Sequence, residues 1–92
     1  SVAANHVTTL LGAVQELAAA NGIPFEIYQP LVQTAVDASF QAGPARALTG
    51  PVARGDEGTV RIQRLAVEEQ APELLPLLDA LNEATRRLAE QD

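Results

Sequence analysis

The sequence predicts an all-α domain, a small bundle of four to five helices. Three observations predict it. Apolar residues recur at 4-3-4-3 spacing in two stretches, Ala3-Val7-Leu10-Val14-Leu17 and Leu74-Leu78-Leu81-Thr85-Leu88, and that spacing lines one face of a helix. No stretch alternates apolar and polar residues as a half-buried strand does. Hydrophobic residues make up 47% of the chain but aromatics only 3%, so the core must be built from Ala, Leu and Val. Alanine has the best helix propensity and lets helix backbones approach closely.

The first helix is predicted from the start of the chain to Asn21-Gly22, a left-handed C-terminal stop. Leu11 and Ala18 widen its apolar stripe, while Asn5, Thr8, Gly12 and Gln15 fall on the opposite side. Gly12 in a helix interior costs roughly 1 kcal/mol relative to Ala, and such a glycine is easiest to explain where something packs closely. Asn5, Thr8 and Gly12 therefore read as a second face prepared for a partner. The chain opens on Ser1-Val2-Ala3-Ala4-Asn5, already helical in pattern and without an initiator Met, which predicts a segment upstream.

Ile23-Pro24 opens the next segment, and Pro30 falls within its pattern, so a kink or a break into two pieces is expected there. Leu31, Ala35, Ala38 and Ala42 form one face of the following helix, and Val32, Val36 and Phe40 occupy others. A helix apolar on several sides is expected at the centre of its bundle. Ala42-Gly43-Pro44 ends it. Residues 44–56 are dense in Gly and Pro and predict a connector with one or two short helical turns. Asp56 is the expected N-cap of a helix over about 57–69. Its Val60 and Val67 point one way and Ile62 and Leu65 another, which predicts a helix sandwiched between neighbours. Pro72 and Pro76 mark the entry to the last helix, where Glu83 and Arg87 are spaced to pair.

Composition narrows function. The net charge is -6 and every basic residue is one of six scattered arginines, so no basic face for nucleic acid is expected. Cysteine is absent, which removes disulfides, thiol nucleophiles and Cys-ligated metal and fits a reducing, cytoplasmic compartment. No apolar run reaches the ~20 residues that span a bilayer. No G-x-G-x-x-G run, zinc-ligand spacing or nucleophile–base pair occurs, so these residues alone are expected to catalyse nothing, to bind no metal and to hold no cofactor.

The run Ala47-Leu48-Thr49-Gly50-Pro51-Val52-Ala53-Arg54-Gly55-Asp56 is the most distinctive in the chain. It resembles the signature of a bacterial family of unknown function: the helical domain that follows a Rossmann-like domain in proteins similar to 6-phosphogluconate dehydrogenase and ketopantoate reductase. There a TGP-x-x-RGD run joins the second long helix to the third. The opening Ala3-Ala4-Asn5-His6, the Ile23-Pro24 turn and the APELLPLL run at residues 71–78 match as well. The likeness covers essentially all 92 residues.

The resemblance implies that residues 1–92 are a single helical C-terminal domain, similar to that of 6-phosphogluconate dehydrogenase, whose N-terminal Rossmann domain lies outside this chain. It implies NAD(P)-linked reduction of a small oxo acid such as ketopantoate, with NADP or NAD on the other domain. The helical domain would form the far wall of the substrate cleft and a homodimer interface. In related reductases a Lys-x-x-x-Asn arrangement on the first helix orients the substrate carbonyl. Asn5 matches that Asn, whereas Ser1 stands four residues earlier in place of the Lys, so the proton donor has no counterpart there.

Asn5 is thus the candidate substrate-orienting residue, an amide that can donate and accept but not act as an acid or base. Its alternative role is a solvated or inter-helix polar residue. His6, at the edge of the apolar stripe, is expected to be partly buried and structural. Thr49 and Arg54 are candidate substrate-binding residues. Alternatively, Thr49 caps the turn begun by Pro51, and Arg54 pairs with Asp56 to fix the connector. A different class of function is also open: a non-enzymatic acidic module that self-associates or docks a partner helix through its leucine-rich last helix.

Overall fold

The structure is a computed structural model and describes residues 1–91. Four long helices and two single-turn helices form a bundle, with no strand among the described residues. They are α1 (Val2–Ala20), α2 (Gln29–Ala42), α3 (Pro44–Ala47), α4 (Pro51–Arg54), α5 (Glu57–Gln70) and α6 (Leu75–Ala89). Two 3₁₀ turns, Phe25–Tyr28 and Pro72–Leu74, lead into α2 and α6.

Local chemistry explains these boundaries. The Ser1 hydroxyl accepts from the Ala4 N–H and caps α1. At the other end Gly22 takes a left-handed φ of 66°. The Ile23 N–H then reaches back to Ala18 C=O and the Gly22 N–H to Ala19 C=O, the paired bonds that close a Schellman stop. The expected break before Pro30 occurs: the chain runs through a 3₁₀ turn, and Pro30 then sits in the first turn of α2, where its missing N–H costs nothing. The connector contains the two predicted short turns, each opened by a proline. Asp56 caps α5 as expected, and Pro76 occupies the first turn of α6.

The core is thin. Ala18, Val60 and Ala71 are the buried residues, the two alanines only 2% exposed. Around them lies a half-buried layer that includes Leu11, Val14 and Leu17 of α1, Val67 of α5 and Leu75, Leu78 and Leu88 of α6. Helix α1 packs on α5, and two of the three buried residues are alanines.

Several expectations are corrected. On α1 the predicted stripe is buried only in its C-terminal half, for every residue from Ser1 to Leu10 is exposed, His6 included. The reason is that α1 rests on the first 3₁₀ turn and on α5, and its N-terminal turns run past both. Helix α2 is peripheral and not central. It contacts mainly the 3₁₀ turn and α3, which leaves Leu31 67% and Phe40 88% exposed. Helix α5 is one-sided: Val60 is buried, but Ile62 and Leu65 face solvent. Glu83 lies 3.8 Å from Arg86 and not beside the predicted Arg87, because Arg86 also reaches Glu57 across the α5–α6 seam at 3.5 Å.

Candidate functional site

Two features of the α1–α2 layer could meet a ligand or a partner. The first is the polar strip of α1. Asn5, Thr8, Gly12 and Gln15 are all exposed. The Thr8 hydroxyl donates back to Ala4 C=O at 3.1 Å, whereas the Asn5 amide makes no hydrogen bond to any described residue. A Cβ added at Gly12 would meet nothing within 4 Å. Nothing in this chain therefore requires a glycine there, although its helix-propensity cost remains.

The second is a groove of about 410 Å³ between α1 and α2, bridged by the Phe25–Tyr28 turn. Val7 and Leu11 line it from α1, Phe25 and Tyr28 from the turn, and Val32 and Val36 from α2. Glu26 and Asp37 supply its only charges. Sequence reasoning missed the groove because it arises from the angle at which the 3₁₀ turn sends α2 away from α1. One signal was available: residues 1–45 contain no Lys or Arg.

The connector signature is mostly structural. Gly50 takes φ 91° and Gly55 φ 74°, the left-handed region that favours glycine. Pro51 starts α4. The Asp56 N–H donates to Pro51 C=O and the Gly55 N–H to Val52 C=O, a second Schellman stop. The Asp56 carboxylate then accepts from the Thr59 N–H at 3.2 Å and the Thr59 hydroxyl at 2.7 Å. Those bonds, with lesser help from Arg54, hold its pKa below the usual carboxylate range. Thr49 does not cap α4; the cap position is Gly50, with no side-chain hydrogen bond. Arg54 reaches Asp56 only at 4.0 Å, and both side chains are well exposed. Thr49 and Arg54 are thus the members of the signature that its fold leaves least employed.

The structure holds Asn5 and the Thr49–Arg54 pair on different elements: α1 packs on α5 and the first 3₁₀ turn, α4 on α5 and α6. A polar clasp that no local pattern announces also ties the end of α1 to α5. Asn21 and Gln70 exchange amide hydrogen bonds of 2.8 and 3.0 Å. Nearby, Glu16 and Glu73 share a carboxyl–carboxylate hydrogen bond, which raises the pKa of Glu16 and lowers that of Glu73.

The Ser1 hydroxyl accepts from the Ala4 N–H at the N-terminus of α1, the Asp56 carboxylate accepts from the Thr59 N–H at that of α5, and α2 and α6 continue from 3₁₀ turns. Among the described residues no group of His, Cys, Asp or Glu could hold a metal ion, and no helix is long and apolar enough to cross a membrane.

Comparison with known proteins adds one finding. A family model described as a domain of unknown function (DUF2520) matches residues 1–85. No curated protein and no solved structure matches the chain.

Proposed function

Because the chain belongs to the DUF2520 family, whose function is unassigned, we propose that it is the helical wall of a substrate cleft in an NAD(P)-dependent oxidoreductase that reduces a small oxo acid such as ketopantoate. One observation carries this reading. The polar strip in the N-terminal half of α1 presents Asn5, Thr8 and Gly12 uncovered. A helix that accepts a glycine penalty with nothing packed upon it is built for a surface outside the chain. That surface is, in this reading, an upstream Rossmann-like lobe. That lobe binds NADP or NAD.

Each candidate then has a defined task. The Asn5 amide orients the substrate carbonyl or a cofactor hydroxyl at the rim of the cleft. Arg54, whose guanidinium fork is only loosely engaged by Asp56, binds the substrate carboxylate, and Thr49 hydrogen-bonds beside it. Hydride chemistry belongs to the cofactor.

The test uses the longer polypeptide that carries this domain. NADPH and NADH titrations followed by fluorescence should saturate, and ketopantoate serves as the probe oxo acid. Asn5→Ala should lower kcat/KM by at least about tenfold while leaving the melting temperature unchanged, since Asn5 touches nothing in its own domain. Absence of binding by both nucleotides would sink the proposal. The non-enzymatic reading would then take its place, with the exposed apolar surface of α2 in its favour.

A further inference from the structure

The groove between α1 and α2 combines three properties. The first is aromatic. The chain has one Tyr, two Phe and no Trp, and two of these three rings, Phe25 and Tyr28, line the groove half-buried. An aromatic face attracts an organic cation electrostatically, while its carbon surface covers apolar parts of the same molecule.

The second is charge. Glu26 and Asp37 are the only charged side chains on the groove, and neither makes a hydrogen bond or ion pair with any described residue. In the second half of the chain, by contrast, Glu57, Arg64 and Asp79 are all engaged across the α5–α6 seam. No Lys or Arg precedes Arg46, so nothing in this segment offsets the two carboxylates. A hollow lined by one sign of charge concentrates ligands of the other. Gln29 and Gln33 also line it and fall with Asp37 at four-residue spacing on α2, one row along the helix. Their amide oxygens add acceptors beside the carboxylate.

The third is size. The apolar lining of each helical wall is one pair four residues apart, Val7 and Leu11 on α1 and Val32 and Val36 on α2, or about 6 Å of helix. A helix docked in a groove is anchored out to its i+7 position, roughly 10 Å away. The groove is too short for that partner. Its volume of about 410 Å³ lies within the roughly 300–1,000 Å³ of small-molecule sites.

We infer that the groove binds a small amphipathic ammonium compound, its apolar body against the valines and Leu11 and its protonated amine held by the carboxylates and rings. The oxo acid of the cleft-wall reading carries the opposite charge, so this is a second site and stands without that reading. The polar strip around Asn5 and Gly12 remains the α1 surface assigned to the lobe.

The test titrates the chain at neutral pH with three probes of one shape: cyclohexylmethylamine, cyclohexylmethanol and cyclohexanecarboxylate. Tyr28 is the only tyrosine and Trp is absent, so intrinsic fluorescence reports on the groove directly. The amine should saturate with a dissociation constant below about 1 mM. It should bind at least about threefold more tightly than the alcohol and at least about tenfold more tightly than the carboxylate. Glu26→Gln combined with Asp37→Asn should bring amine and alcohol within about twofold of each other. Neither carboxylate has a partner to lose, so that variant should keep the wild-type melting temperature. Glu69→Gln combined with Glu90→Gln removes the same charge outside the groove and should leave the preference for the amine intact. Failure of every probe to saturate by about 10 mM overturns the inference. So does an amine that binds no better than the alcohol, or a remote variant that loses the preference equally. The order of the three probes on the unaltered chain decides the matter without any variant. Nucleotide binding by the upstream lobe is untouched by all these outcomes, so the two proposals fail separately.

Discussion

The N-terminal layer, α1 and α2, and the C-terminal layer, α3 to α6, solve the same problem differently. Residues 44–92 carry 15 charged side chains and use them to tie helices together. Arg64 of α5 grips Asp79 of α6 through a fork of 2.8 and 3.0 Å, and Arg86 of α6 reaches Glu57 of α5. Residues 1–43 have almost no charge and expose their hydrophobic residues. The contrast lies in charge more than in apolar exposure, since exposed apolar area alone is ordinary for a protein surface.

The contact between the layers offers the largest effect. Ala18 of α1 is only 2% exposed, and α1 packs on α5. Ala18→Leu should cost about 1–3 kcal/mol in denaturant unfolding by forcing the helices apart. An unchanged midpoint would mean that the surroundings of Ala18 accept a larger side chain without parting the helices.

The same substitution made in both layers should change stability in opposite directions. Gly55→Ala places a Cβ at a φ of 74° in the C-terminal connector and should destabilise by about 1 kcal/mol. Gly12→Ala puts a Cβ into open space on α1 and should stabilise the chain by about 0.5–1 kcal/mol. In the longer polypeptide Gly12→Ala should also weaken NADPH-dependent turnover if the strip meets a lobe. A loss of stability at Gly12 would show that α1 packs there on something within its own chain.

The smallest effect concerns acid. Arg64 holds the Asp79 carboxyl below its usual pKa, and Thr59 does the same for Asp56. A lowered pKa in the folded state contributes stability that is present above the unfolded value, near 3.9, and lost as pH falls through the folded one. Glu16 has the opposite sign. Its raised pKa contributes stability below the ordinary glutamate value that is lost as pH rises through the folded one, and the lowered pKa of Glu73 offsets this. All these groups are exposed, so the net effect is modest. The melting temperature should decline below about pH 4, and Asp79→Asn should flatten that decline. An equally steep decline in the variant would assign acid sensitivity elsewhere.

Much of the fold was legible because its signals are local. The two Schellman stops, the prolines in first turns and the Asp56 cap depend on residues at most five positions apart, and each helix boundary follows from them. The periodicity drew apolar stripes on the helices but could not say which parts of them are covered. The pattern is the same whether a face meets its own chain, another copy or another domain. Hence α2, expected at the centre, stands at the edge, and α5 is covered on one side. The candidate site was legible to the same degree: the Asn5 strip could be drawn on a helical wheel, while the groove and the Asn21–Gln70 clasp, 49 residues apart, could not.

Sequence by itself determined that the chain is helical, where most of its helices start and stop, and that its cations fall between Arg46 and Arg87. Only the tertiary structure decided which apolar stripes are covered, because burial depends on how the 3₁₀ turns aim successive helices and on how few residues there are to cover them. A chain of 92 residues has too little surface-burying capacity to bury every stripe it carries, and the angle set at Phe25–Tyr28 determined that α2 would be the one left open.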